Sequence, residues 1–176
     1  MEVLAYLLEI IKYITAGFIV FYLAWLVIKK FLSDSYRTDL IELKKASLAH
    51  SLPLRLQAYE RLILFLDRIN PSNMMLRLHV TGATVQELHN LALSDIRAEY
   101  QHNVTQQLYV SGESWKVIQR IKDDTISLIN NAAKGLPADA ASFELSKALL
   151  LHLANMEESP YEAASAIIKK EIQQLF

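Results

Sequence analysis

Glu99-Tyr100-Gln101-His102 sets a carboxylate and an imidazole three residues apart. On a helix that is about one turn, so the two side chains share a face. Bundles that hold two metal ions use this Glu-x-x-His spacing, but they need two such pairs and two more inward-facing glutamates. The sequence carries a single pair, which leaves the ligand set incomplete and makes a polar helix face the simpler account. His79, His89 and His152 form neither an HExxH nor an H-x3-H arrangement. Asp123-Asp124 and Glu157-Glu158 are adjacent acids, and neighbours on a helix point apart rather than closing on one ion. With no cysteine, no G-x-S-x-G and no glycine-rich phosphate loop, nucleophilic and nucleotide chemistry have no visible carrier. No metal and no cofactor is expected, and no residue takes a catalytic role.

Tyr59, Glu60, Arg61, Asp67 and Arg68 form a polar strip on an otherwise apolar helical stretch. Such a strip must find water, an internal partner or another protein. Internal packing and docking both remain open here, and arginine and tyrosine are enriched at interaction hot spots. These five residues are the candidate interaction strip.

Helices must position these groups. Helical periodicity runs from residue 33 onward, and Leu76–Val80 is the one doubtful stretch. Ser33 or Asp34 is a candidate start for a helix to about His50, striped by Tyr36, Leu40, Leu43 and Leu48; an N-terminal helix continuing unbroken fits equally. Ser51-Leu52-Pro53 reads as the next start, since proline suits a first turn. Leu62-Ile63-Leu64-Phe65-Leu66 is apolar on every face, which argues for burial all round. Asn70-Pro71 stops that helix, and a short turn of helix follows at Ser72–Arg77. Thr84-Val85-Gln86-Glu87 is a capping box opening a helix to about Tyr109. The next helix runs from near Ser114 to Lys134, with Trp115 as a buried anchor, Gly135 as a left-handed stop and Pro137 barring continuation. Asp139 or Ser142 caps a helix to about Asn155. Ser159-Pro160-Tyr161-Glu162 is a second capping box, opening a last helix striped by Tyr161, Ala164, Ile168, Ile172 and Leu175. Six or seven helices joined by short loops make an all-α bundle.

Ahead of them lies Tyr13–Ile28, without charge or proline. With its flanks it exceeds the ~20 apolar residues needed to cross hydrocarbon. It reads as a single transmembrane helix, giving an anchor at 1–32 and a helical domain at 33–176. A cleavable signal peptide would show a basic start, a shorter apolar core and a small-residue cleavage site; here the chain begins Met-Glu and the run ends Ile-Lys-Lys-Phe-Leu. No basic residue precedes Lys12, whereas Lys29, Lys30, Arg37, Lys44 and Lys45 follow the run. The N-terminus is therefore expected outside and the body in the cytoplasm. Tyr13, Trp25, Lys29 and Lys30 are the expected membrane-interface residues, with Tyr6 and Tyr36 beside them. Glu9 and Lys12, three apart, fit an outer interface where the lysine stem snorkels.

Residues 31–176 hold 15 basic and 17 acidic side chains, which provides no basic face for nucleic acid. Four glycines and four prolines leave no flexible linker or disordered tail. Leu56–Pro71 (LQAYERLILFLDRINP) and Trp115–Asn130 resemble a family of uncharacterised bacterial membrane-anchored proteins. That resemblance implies a short N-terminal anchor, a cytoplasmic helical body and an inner-membrane location, and carries no activity. The expectation is a non-enzymatic interaction module (scaffold, adaptor or accessory subunit). It is held by the bilayer, with a protein partner at the membrane, a homo-oligomer possible, and no nucleic acid. The alternative is an enzyme or small-ligand carrier with a site around Glu99 and His102.

Overall fold

The computed structural model describes residues 2–174, and their side chains other than those of 3–9, 33–35, 37–40 and 47–48. Expectations that rest on the side chains of Tyr6, Glu9, Leu40, Leu48 and Leu175 lie outside the described residues. Among these residues there are six α-helices and one 3-10 helix: α1 Glu2–Ile69, α2 Pro71–Arg77, α3 Val85–Asn103, a 3-10 helix Val104–Leu108, α4 Gly112–Lys134, α5 Ser142–Ala154 and α6 Pro160–Gln173. The chain is all-α, and its only strand-like pairing among the described residues is an isolated bridge between Thr84 and Ala141. The backbone divides into two compact units, Met1–Ser51 and Leu52–Phe176.

No new helix starts at Ser33, Asp34 or Pro53, because α1 runs through all three. An internal proline forfeits one backbone hydrogen bond and crowds the preceding turn, at roughly 3 kcal/mol. The helix beyond it is compensated by burial of Ala58, Tyr59, Leu62, Phe65, Leu66 and Ile69. The boundary between the two units falls next to this proline.

In the first unit, Ile10–Leu32 is a 23-residue helical segment of mean hydropathy 1.9 with none of it buried. At about 1.5 Å per residue such a helix exceeds the ~30 Å hydrocarbon core, so its length and composition suffice to span a membrane. Thr15 Oγ1 donates back to the carbonyls of Ile11 and Lys12, 3.0 Å each, so its hydroxyl is satisfied within the helix. Trp25 stacks on Tyr22 with centroids 6.1 Å apart, and Lys29 Nζ sits 5.0 Å above the Trp25 ring. Tyr13 is exposed on the same helix.

In the second unit α3 packs on α4 and α5, α4 on α5 and α6, and α2 on α5. The core joins Leu62, Phe65 and Leu66 of α1 with Met74, Leu88, Ile96, Trp115, Ile118, Ile129, Leu145, Leu149 and Ile168. Burial of α1 is one-sided rather than all round: Leu64 is 59% exposed, because α2–α6 cover a single face. Tyr100 bridges the rings of Phe65 and Trp115, with centroids at 6.3 and 5.6 Å.

Local sequence signals fix most ends. The Thr84–Glu87 capping box is reciprocal. Ser159 Oγ accepts from the Glu162 amide, half of the expected box. Ser111 rather than Ser114 caps α4. The helix from Thr84 stops at Asn103 and tightens into the 3-10 helix, leaving Leu108 exposed instead of on the buried stripe. Gly135 is right-handed at φ −81°; the left-handed glycine is Gly82, at φ 82°, in the turn before α3. Neither Asp139 nor Ser142 caps α5, whose N-cap is Ala141 with no side-chain bond. Its orphan amide is met from outside instead. Ser142 N donates to the Ala83 carbonyl at 2.9 Å, while Val85 N and Gln86 N of α3 donate to Ala140 and Ala138 carbonyls at 2.8 and 3.1 Å. The two helix starts thereby satisfy each other's unpaired groups.

Candidate functional site

The residues Gln57, Glu60, Arg61, Leu64, Asp67 and Arg68 recur at helical spacing and form the exposed face of the last turns of α1. Tyr59 does not belong to that face, being fully buried. Asp67 Oδ1 accepts from Asn73 Nδ2 at 2.7 Å. Arg68 pairs with Glu99 of α3 at 2.7 Å. The two candidate groups of the sequence, the Tyr59–Arg68 strip and Glu99 with His102, therefore meet. Arg61, Leu64, Arg68, Glu99 and His102 line a cleft of about 420 Å³ floored by Phe65. Glu99 faces a guanidinium, not a second carboxylate, and among the described residues no three His, Cys, Asp or Glu side chains converge as metal ligands. Arg61 has no ion-pair partner among the described residues. The cleft thus presents an available cation beside exposed leucine, a surface able to hold an acidic side chain and an apolar one together.

A second polar centre joins α1, α4 and α6. Glu171 Oε1 accepts from Tyr59 Oη at 2.5 Å and from the Ser111 amide at 3.0 Å. Glu171 Oε2 accepts from Ser111 Oγ at 2.7 Å and from Ser114 Oγ. Arg55 donates to Tyr59 Oη at 3.3 Å and to the Tyr109 carbonyl at 3.2 Å. Burial raises the Glu171 carboxyl pKa, but the bonds from Ser114, Tyr59 and Ser111 lower it further, so it lies below the usual range. Burial, then the bond to Glu171, raises the Tyr59 phenol. Four donors converge on one carboxylate and engage both of its oxygens. This centre is a lock between helices.

A third feature is a cavity of about 690 Å³ bounded by α4, α5 and the start of α6. At its wall Thr125 Oγ1 donates to the Ile121 carbonyl at 2.7 Å and lies 2.7 Å from Tyr161 Oη. Since the threonine proton is committed, the phenol is the donor between them. Burial pushes the Tyr161 phenol up to about 12. His89 bonds Asn130 across α3 and α4 at 2.7 Å.

Sequence reasoning missed Glu171 and Thr125. A signal exists for both. Glu171 lies three residues after Ile168 and seven after Ala164, on the buried stripe of α6; Thr125 lies four after Ile121 and four before Ile129, on that of α4. A polar residue in register with an apolar stripe must find a buried partner. Their partners lie far away in sequence, so only the fold names them. A family model described as a family of unknown function (DUF7935) matches residues 5–175. No curated protein and no solved structure matches the chain.

Proposed function

The chain belongs to the DUF7935 family of unknown function, and from its apolar helix and its Arg61 cleft we propose that it is a membrane-anchored, non-enzymatic interaction module. It would serve as a scaffold, adaptor or accessory subunit of a bacterial inner-membrane assembly. The observation that carries the reading is the exposed Arg61–Leu64 face beside Arg68 and His102. The partner it fits is a protein segment at the membrane that offers an acidic side chain next to an apolar one. Ile10–Leu32 is the anchor. Tyr13, Trp25, Lys29 and Lys30 sit at its interfaces, and the excess of Lys and Arg after the span favours an outside N-terminus and a cytoplasmic body. Confinement to a bilayer raises the effective concentration of a weak docking surface, so contacts too weak for free solution persist. An enzyme or carrier centred on Glu99 and His102 is disfavoured by the pairing of Glu99 with Arg68.

The test is a mild-detergent pull-down of the full chain compared with Arg61→Glu, a substitution at an exposed position. The wild type should recover a defined membrane or membrane-proximal protein. The variant, with an unchanged circular dichroism spectrum, should recover at least about fivefold less, in keeping with a hot-spot arginine. Undiminished recovery by Arg61→Glu removes the cleft from the proposal. Recovery of the chain alone under several mild conditions removes the module.

A further inference from the structure

The cavity between α4, α5 and the start of α6 shares no residue with the Arg61 cleft. Its size lies within the range of small-molecule sites, about 300–1,000 Å³. Ile121, Leu128, Ala132, Ala148, Leu153 and Met156 give it an apolar wall. Its polar lining is mixed: Thr125, Ser127, Asn131, His152 and Tyr161 carry donors as well as acceptors, and only the carboxylates of Asp124 and Glu158 are acceptors alone when ionised. Asp124 and Glu158 bring carboxylates to the lining, and Tyr161 stands beside Thr125. Because the Tyr161 proton is donated to Thr125, its oxygen keeps lone pairs for an incoming donor.

Charge selects among ligands. His152 is the one basic-type side chain in the lining. Arg120 approaches Asp124 at 3.9 Å, with both side chains largely exposed, a contact too loose and too hydrated to neutralise it. The positive end of α6 lies beside the cavity, equivalent to only about half a unit charge, and it is spread over the first turn. The Glu162 amide there is already engaged by Ser159 Oγ. Two carboxylates outweigh that half charge. We propose that this cavity binds a small amphipathic organic cation, an amine whose apolar body lies against Leu128, Leu153 and Met156 while its ammonium faces Asp124 and Glu158. This is independent of the docking proposal, since neither site's residues enter the other.

The test uses the full chain in lipid nanodiscs, with empty nanodiscs subtracted. The probes are dansylcadaverine, a fluorescent amine, and a dansyl aminohexanoate of similar apolar body and opposite charge. The amine should bind saturably, with the acid at least about fivefold weaker, as two partly hydrated carboxylates allow. In the Asp124→Asn, Glu158→Gln variant, altered only at exposed positions, the two probes should come within about twofold of each other. Ala148→Trp, which fills the cavity, should abolish saturable binding while the dichroism spectrum stays helical. The proposal is overturned by any of three results: no saturable amine binding above empty nanodiscs, a charge preference that survives the double substitution, or undiminished binding by a folded Ala148→Trp protein.

Discussion

Substitution of Glu171 by glutamine perturbs the centre that joins three helices while keeping its shape. In the wild type the carboxylate accepts from Tyr59 Oη, the Ser111 amide, Ser111 Oγ and Ser114 Oγ. The amide of glutamine keeps one acceptor oxygen and turns a donor toward hydroxyls that were themselves donors. Hydrogen bonds to a charged group contribute about 1.5–3 kcal/mol and neutral ones about 1; at this partly exposed carboxylate the difference is taken at its low end, about 0.5–0.75 kcal/mol per bond, so losing the charge assistance of four bonds costs about 2–3 kcal/mol. For a domain of this size that lowers Tm by about 8–12 °C. Glu171→Ala costs more, about 3–5 kcal/mol, because the buried Tyr59 hydroxyl then loses its acceptor. The assay is urea and thermal unfolding of the full chain, followed by circular dichroism at pH 7, with exposed Glu162→Gln as control. The pH dependence adds a second reading. The folded pKa of Glu171 lies below its unfolded value, so its contribution is present above about pH 4.3 and is lost as pH falls through the folded pKa. The gap between wild type and Glu171→Gln should therefore narrow in acid. A change below about 0.5 kcal/mol at pH 7, or a gap that widens in acid, refutes the assignment of Glu171 as the lock.

Leu62→Asp buries an unpaired charge at a fully buried site and should unfold the body, at a cost above about 4 kcal/mol; Ile63→Asp, at a partly buried site, should cost less, and near-native unfolding curves for both would remove this stretch from the core. Tyr161, with its phenol raised to about 12, should contribute an ionisation step above the ordinary tyrosine range in an absorbance titration, a step that Tyr161→Phe removes. Because the folded value exceeds the unfolded ~10, its stabilisation is complete below pH 10 and is lost as pH rises toward 12; Tyr161→Phe should flatten that alkaline limb. A reporter active only in the cytoplasm should work when fused after Phe176, and activity confined to the outside compartment would reverse the proposed orientation.

Local physics was legible in the sequence wherever a few neighbouring residues decide the outcome. The apolar run of the first unit, the all-helical class, the Thr84–Glu87 box and the helix at Pro71–Arg77 follow from composition, periodicity and capping, each a matter of contacts within one or two turns. The sequence could not say whether Pro53 begins a helix or sits inside one, since that depends on how firmly the residues after it are buried. It also could not separate Tyr59 from Arg61. Both lie on one helix, yet the first points at Glu171, 112 residues away, and the second at solvent. The capping of α5 by Ala83, the pairing of Arg68 with Glu99 and the four-donor carboxylate of Glu171 arise only when helices distant in sequence are brought together. A polar side chain records that it needs a partner; tertiary packing alone decides which group, across which helix, satisfies it.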